Sequence, residues 1–181
     1  MFADAPPRVR CRIAAFTLLE LLAVLGIIAV LASLVFGLGR GASDAGKNAR
    51  ARAELAALGL ALEDYRRIHG DYPRTADTAR MVQGLIGRRG PDNQATDGRS
   101  LIETARFSFA AGIDPFASES AVPVDPWGRA YRYVYKTQAP WTNPSYVLYS
   151  AGPDGVATGT LLSGGFPDRN TTGHTDNLYA D

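Results

Sequence analysis

Cysteine is almost absent from this chain: Cys11 is the only one among 181 residues, and histidine occurs twice. A lone cysteine rules out a disulfide framework within the chain and any Cys-rich zinc site. An excess of one charge is also missing, because 19 Lys and Arg stand against 18 Asp and Glu, for a formal net charge of +1. A nucleic-acid binder needs a concentrated basic face, so no nucleic-acid partner is expected. No Ser/His/Asp grouping, phosphate-cradling Gly loop or glycosidase-type acid pair stands out, and no enzymatic activity is expected. With 46% apolar residues, disorder is excluded as a description of the whole chain.

The apolar residues are unevenly spread. Phe16 to Leu38 reads FTLLELLAVLGIIAVLASLVFGL, about 23 residues that as a helix would cover roughly 34 Å, enough to cross a ~30 Å hydrocarbon core. Arg8, Arg10 and Arg12 precede this run, while Arg40 and Lys47 follow it. The charge bias predicts that the N-terminus stays cytoplasmic and the remainder is translocated.

Glu20 lies within the first turns of the run. A lone carboxylate in hydrocarbon is penalised by about 2.5–3.5 kcal/mol, so it must either snorkel to the interface or find a cationic partner at its own depth. A secretory signal places its small-residue cleavage site after the apolar run. Here the small pair Ala14-Ala15 comes before it. Cleavage between Ala15 and Phe16 would leave the apolar segment on the product and create an α-amino group four residues from Glu20.

Ala15-Phe16-Thr17-Leu18-Leu19-Glu20-Leu21-Leu22 resembles the prepilin cleavage and methylation motif of type IV pilins and type II secretion pseudopilins. The resemblance implies that a prepilin peptidase cuts between Ala15 (where Gly is usual) and Phe16 and methylates the new amine. It also implies that Glu20 receives the Phe16 amine of a neighbouring subunit during assembly. Pairing the two charges relieves a desolvation penalty that either would suffer alone in an apolar bundle.

Gly37, Gly39 and Gly41 follow, read either as a loop or as a pliant spot in one long helix. From Ser43 to His69 the residues Leu55, Leu58, Leu62, Tyr65 and Ile68 recur at three- and four-residue spacing, which predicts a helix with one core-facing stripe. Gly70-Asp71-Tyr72-Pro73 should end it, with Gly70 as the cap. A short helix is expected over Thr75–Ile86, with Ala79, Met81, Val82 and Leu85 inward. Another is expected over Leu101–Phe109, packing Phe107 or Phe109 onto the stem. After the Asp125-Pro126-Trp127-Gly128 turn, alternation predicts strands over Arg129–Tyr135 and Ser145–Ser150.

The order of stem, Gly-x-Tyr-Pro, Asp-Pro-Trp-Gly, Tyr-rich strand, second strand and Ser-x-Gly-x-Asp-Gly resembles the major pseudopilin of type II secretion. That resemblance implies an α+β, type IV pilin-like fold: a long N-terminal helical stem on a small antiparallel β-sheet, with a C-terminal loop. It further implies calcium bound through the side chains of Asp154 and Asp176 and the carbonyls of Ala151 and His174, with Asn177 a further oxygen. The plain alternative is an Asp-Gly turn followed by a frayed tail.

The expected organisation is a leader over 1–15, a transmembrane and filament-core helix over 16–38, an amphipathic stem over 39–72 and a periplasmic head over 73–181. The expected role is that of a structural subunit, single-pass in the bacterial inner membrane. It would polymerise with its own copies and with minor pseudopilins on an inner-membrane assembly platform, into a periplasmic pseudopilus that drives protein secretion. Alternative roles are a surface or DNA-uptake fibre subunit and a membrane-tethered calcium-binding module.

Overall fold

The computed structural model describes residues 17–156 and 161–180, with the backbone alone over 34–42. The chain divides into two compact units, Met1–Ser43 and Asp44–Asp181. Helix α1, Leu18–His69, is assigned without interruption, so Gly37, Gly39 and Gly41 lie within helix and not in a loop.

In the first unit, Thr17 caps the start of α1. Its hydroxyl accepts the Glu20 N–H at 3.2 Å and its carbonyl accepts the Leu21 N–H at 3.1 Å. These bonds satisfy donors that a helix start leaves open, and the Glu20 carboxylate suits the positive end of the helix dipole. Beyond the cap, every large apolar side chain from Leu18 to Leu31 is exposed, Leu19 by 80%. Among the described residues no helix is long and apolar enough to cross a membrane. The apolar side chains described from Leu18 to Ser33 cover roughly 24 Å, short of a ~30 Å core. Phe16 and the side chains of residues 34–42, which complete the predicted span over 16–38, lie outside the described residues.

The second unit is built on the remainder of α1. Leu55, Leu58, Leu62 and Tyr65 are buried as the spacing predicts, and Ala51 and Ala61 join them. Ile68 departs from the prediction and is 59% exposed. The helix ends one residue later at His69; Gly70 follows with a φ of +83° that suits a C-terminal glycine, and Tyr72 from beyond the cap closes that end of the core. Asp71 ties this corner together. Its carboxylate accepts the Tyr135 hydroxyl at 2.6 Å, Lys136 Nζ at 2.9 Å, Arg74 at 2.8 Å and the Tyr72 N–H at 3.0 Å. Burial alone would raise the Asp71 pKa, but Tyr135, Lys136, Arg74 and the Tyr72 amide hold it well below the usual carboxylate range.

Helix α2, Thr78–Leu85, is capped by Asp77, whose side chain accepts the Ala79 N–H at 2.9 Å, and it buries Ala79, Met81, Val82 and Leu85 as expected. The helix predicted over 101–109 is corrected to a 3₁₀ turn at Thr104–Arg106 followed by strand β1, Ser108–Phe109, paired antiparallel with β2, Pro123–Val124. Phe107 and Phe109 are two residues apart, a strand spacing, and Phe107 does reach the core.

Strands β3, Arg132–Val134, and β4, Val147–Ser150, pair antiparallel, Tyr133 opposite Leu148. Strand β7, Leu178–Tyr179, adds to the other edge of β4, giving the order β3-β4-β7. A separate hairpin joins β5, Leu161–Leu162, to β6, Phe166–Pro167. Tyr131, Tyr133 and Tyr135 alternate inward from β3 and its flanks, in one core cluster with Leu58, Leu62 and Tyr65. Their hydroxyls are all satisfied: Tyr131 donates to Glu54 at 2.6 Å, Tyr133 to the Pro73 carbonyl at 2.8 Å and Tyr135 to Asp71. The result is α+β, a helix laid on a small antiparallel sheet.

Candidate functional site

Two places carry the residues singled out by sequence, one in each unit. In the first, Ala15 and Phe16 lie outside the described residues, while Glu20 is exposed in the opening turn of α1. Around it Leu18, Leu19, Leu21 and Leu22 are all more than half exposed. Apolar surface of this extent is a binding surface and not a folding core.

The second place is the loop after β4 together with the segment before β7. Antiparallel pairing of these strands, Ser150 opposite Leu178, brings residues 151–155 against 174–177. Gly152 turns there with φ +63°, and a side chain at that position would strike the Asp176 backbone. The Asp154 N–H donates to Asp176 Oδ2 at 3.3 Å, so the two predicted carboxylate residues are neighbours. Asp154 itself is exposed and its Oδ1 accepts the Val156 N–H at 2.8 Å. Asp176 Oδ1 and Asn177 Oδ1 are buried and accept no hydrogen bond. Buried oxygens left in that state are expensive unless a donor or cation meets them.

The carbonyls expected from Ala151 and His174 are each engaged in a turn, accepting Gly155 N–H at 3.2 Å and Asn177 N–H at 3.3 Å. A carbonyl oxygen keeps a second lone pair for another partner. The His174 ring is buried and turned to another task, its Nδ1 donating to the Asp168 carbonyl at 2.7 Å. The Thr171 hydroxyl and the Asn170 and Thr171 amides hold the Asp168 carboxyl below its usual range. Among the described residues no group of three or more His, Cys, Asp or Glu could hold a metal ion. The donor set present, two carboxylates, an amide oxygen and carbonyls, is of the kind that suits a hard cation.

A third set of contacts was not anticipated from sequence. Asp125 is buried in its turn, where Oδ1 accepts the Trp127 and Arg129 amides at 3.0 and 2.9 Å and Oδ2 accepts the Ser150 hydroxyl at 2.5 Å. Ser150 Oγ accepts the Gly152 N–H at 3.1 Å. Arg129 Nη1 donates to the Gly152 and Pro153 carbonyls at 2.6 and 3.0 Å. Asp-Pro-Trp-Gly signals a turn, and nothing in its spacing announces a tie to a loop more than twenty residues on.

A helical stem on a three-stranded antiparallel sheet, with an exposed apolar helix start bearing one acidic residue, defines a subunit of the type IV pilin-like class. Residues 10–36 match the prokaryotic N-terminal methylation motif, and residues 40–164 match type II secretion system protein G. The chain is 30% identical to type II secretion system core protein G of Pseudomonas aeruginosa, over 80% of this chain and 87% of that one. It is 34% identical to the core protein G of Escherichia coli, over 77% of this chain and 81% of that one, and 30% identical to that of Klebsiella michiganensis, over 78% and 84%. No solved structure matches the chain with significance. The chain belongs to the type II secretion system protein G family, as a pseudopilin subunit with an N-terminal methylation motif.

Proposed function

We propose that the chain is processed between Ala15 and Phe16 by a prepilin peptidase, methylated at Phe16, held in the bacterial inner membrane by residues 16–38, and drawn from there into a periplasmic filament of its own copies. The observation that carries this reading is the exposed apolar start of α1, with Glu20 as its single acidic residue. Side chains such as Leu19 and Ile27 stand exposed among the described residues; lipid covers them before assembly and neighbouring stems after it. Glu20 then receives the α-amine of Phe16 from the adjacent copy, and the pairing makes addition directional. The role is structural and not catalytic, and minor pseudopilins and an inner-membrane assembly platform are its partners. Glu20→Ala should insert into the membrane normally and yield few or no filaments; normal filaments from that variant would refute the role of Glu20.

The same reading includes calcium at the loop after β4. Asp154, Asp176 and Asn177 would supply side-chain oxygens, and Ala151 and His174 the carbonyls. The buried, unpaired Asp176 Oδ1 and Asn177 Oδ1 support it. When bound, the cation supplies positive charge that fastens the segment before β7 to the loop after β4. Calcium should protect the C-terminal segment from protease, and Asp154→Ala should abolish that protection; equal protease sensitivity of the two proteins would refute the site.

A further inference from the structure

We infer that Arg129 is a positioning residue that pre-forms the 151–155 loop, so that a cation there meets a loop already in shape. The inference rests on the calcium reading only for its second half. The first half stands on contacts internal to the chain.

Three residues of the stretch from Ser150 to Pro153, namely Ser150, Gly152 and Pro153, are gripped from the Asp125 turn by two separate routes. One runs from Asp125 Oδ2 through the Ser150 hydroxyl at 2.5 Å to the Gly152 N–H at 3.1 Å. The other is the Arg129 guanidinium, which bonds the Gly152 carbonyl at 2.6 Å and the Pro153 carbonyl at 3.0 Å. The peptide groups on either side of Gly152 are thus fixed from one direction. Asp176 lies against the Cα of the same glycine. Arg129 is itself fixed, because its backbone N–H is held by Asp125 Oδ1 at 2.9 Å and its carbonyl accepts the Asp125 N–H at 2.7 Å. Gly155 completes the fit: any side chain there would collide with the guanidinium.

Bonds from a charged donor to backbone carbonyls are among the stronger ones available to a loop. A loop held this way loses its ordering entropy on folding, and not when a ligand arrives. The guanidinium is also a positive charge near a cation site, which opposes binding. The two effects have opposite signs, and we assign the larger to positioning, because the guanidinium is spent on carbonyls and leaves the Asp154 and Asp176 carboxylates to the cation.

The test compares the full-length protein with Arg129→Gln and Arg129→Lys in detergent, by amide hydrogen exchange in chelator and by calcium titration. Arg129→Gln should speed exchange at Gly152 and Gly155 about tenfold in chelator, weaken calcium about tenfold, and regain protection at saturating calcium. Arg129→Lys, which keeps the charge and loses the fork, should fall between. Unchanged exchange at Tyr131–Val134 in all proteins reports an intact sheet. Exchange at the loop unaffected by Arg129→Gln would overturn the inference, and tighter calcium binding by that variant would overturn it too. Faster loop exchange in a protein that binds no calcium at all would refute the calcium reading and uphold the positioning role of Arg129.

Discussion

Leu19 and Leu58 occupy the same helix and have the same side chain, yet one is 80% exposed and the other fully buried. The first belongs to a unit whose apolar residues run all round the helix; the second belongs to a stripe with Lys47, Arg50, Glu63 and Arg66 on the other faces. A stripe is satisfied by one sheet laid against it. A helix that is apolar all round asks for cover on every side. Helix α1 is therefore two objects in sequence: an exposed apolar segment, then the wall of a core.

Mutations that exchange these roles break the comparison most severely. Leu58→Ala should destabilise the head by about 2–5 kcal/mol in denaturant unfolding, while Leu25→Ala should leave that transition within about 0.5 kcal/mol of its original value. Equal effects would mean that the helix is uniform in function.

Next comes the charge buried beneath the stripe. Glu54 is 7% exposed and is met by Arg50 at 2.7 Å and the Tyr131 hydroxyl at 2.6 Å. Glu54→Leu strands that hydroxyl and should cost about 1–3 kcal/mol. A double substitution with Tyr131→Phe should recover part of the loss, measured as a coupling energy.

The smallest effects are those of pH on the head. Asp71 has a folded pKa below its unfolded value, so its contribution is complete above about pH 4. It is lost as pH falls through the lower folded value. Asp71→Asn should flatten acid unfolding below pH ~4 and leave it unchanged at neutrality apart from a constant offset. At the other extreme, burial and the Glu63 carboxylate raise Tyr72 to about 12, and burial raises Tyr131 and Tyr133 above the usual phenol range. Raised pKa values mean full stability below about pH 10 and loss as pH climbs past it. Tyrosinate absorbance from these rings should therefore appear together with unfolding.

Much of this organisation was legible in sequence because it follows period and punctuation. The stripe through Leu55 and Tyr65, the Gly70 cap, α2 and the alternating tyrosines of β3 each obey a local rule. Ile68 satisfied the period and failed, since the chain leaves the helix just after it and the core is closed by Tyr72 instead. The insertion before β2 misled because Phe107-Ser108-Phe109 is too short to declare its period. Strand β7 carries only Leu178 and Tyr179, and its pairing with β4 is a long-range choice that no local signal encodes. The site shows the same division. Asp154 and Asp176 were visible as residue types, and their adjacency and the buried Asp176 Oδ1 support the donor set, whereas Arg129 reaches the loop only through the fold.

Engineered cysteines offer the most direct test of the claim that the first half of α1 is a surface for other copies. Cys11 is the single cysteine and precedes Phe16, so a chain cut before Phe16 would contain no competing thiol. Single cysteines at Leu19 and Leu25 should be joined by oxidation into dimers, and the pair together into longer ladders, when the full secretion apparatus is present. Cysteine at Leu58 should remain monomeric. Dimers from Leu58 equal to those from Leu19 and Leu25, or none from any of the three single cysteines while secretion proceeds, would contradict the account.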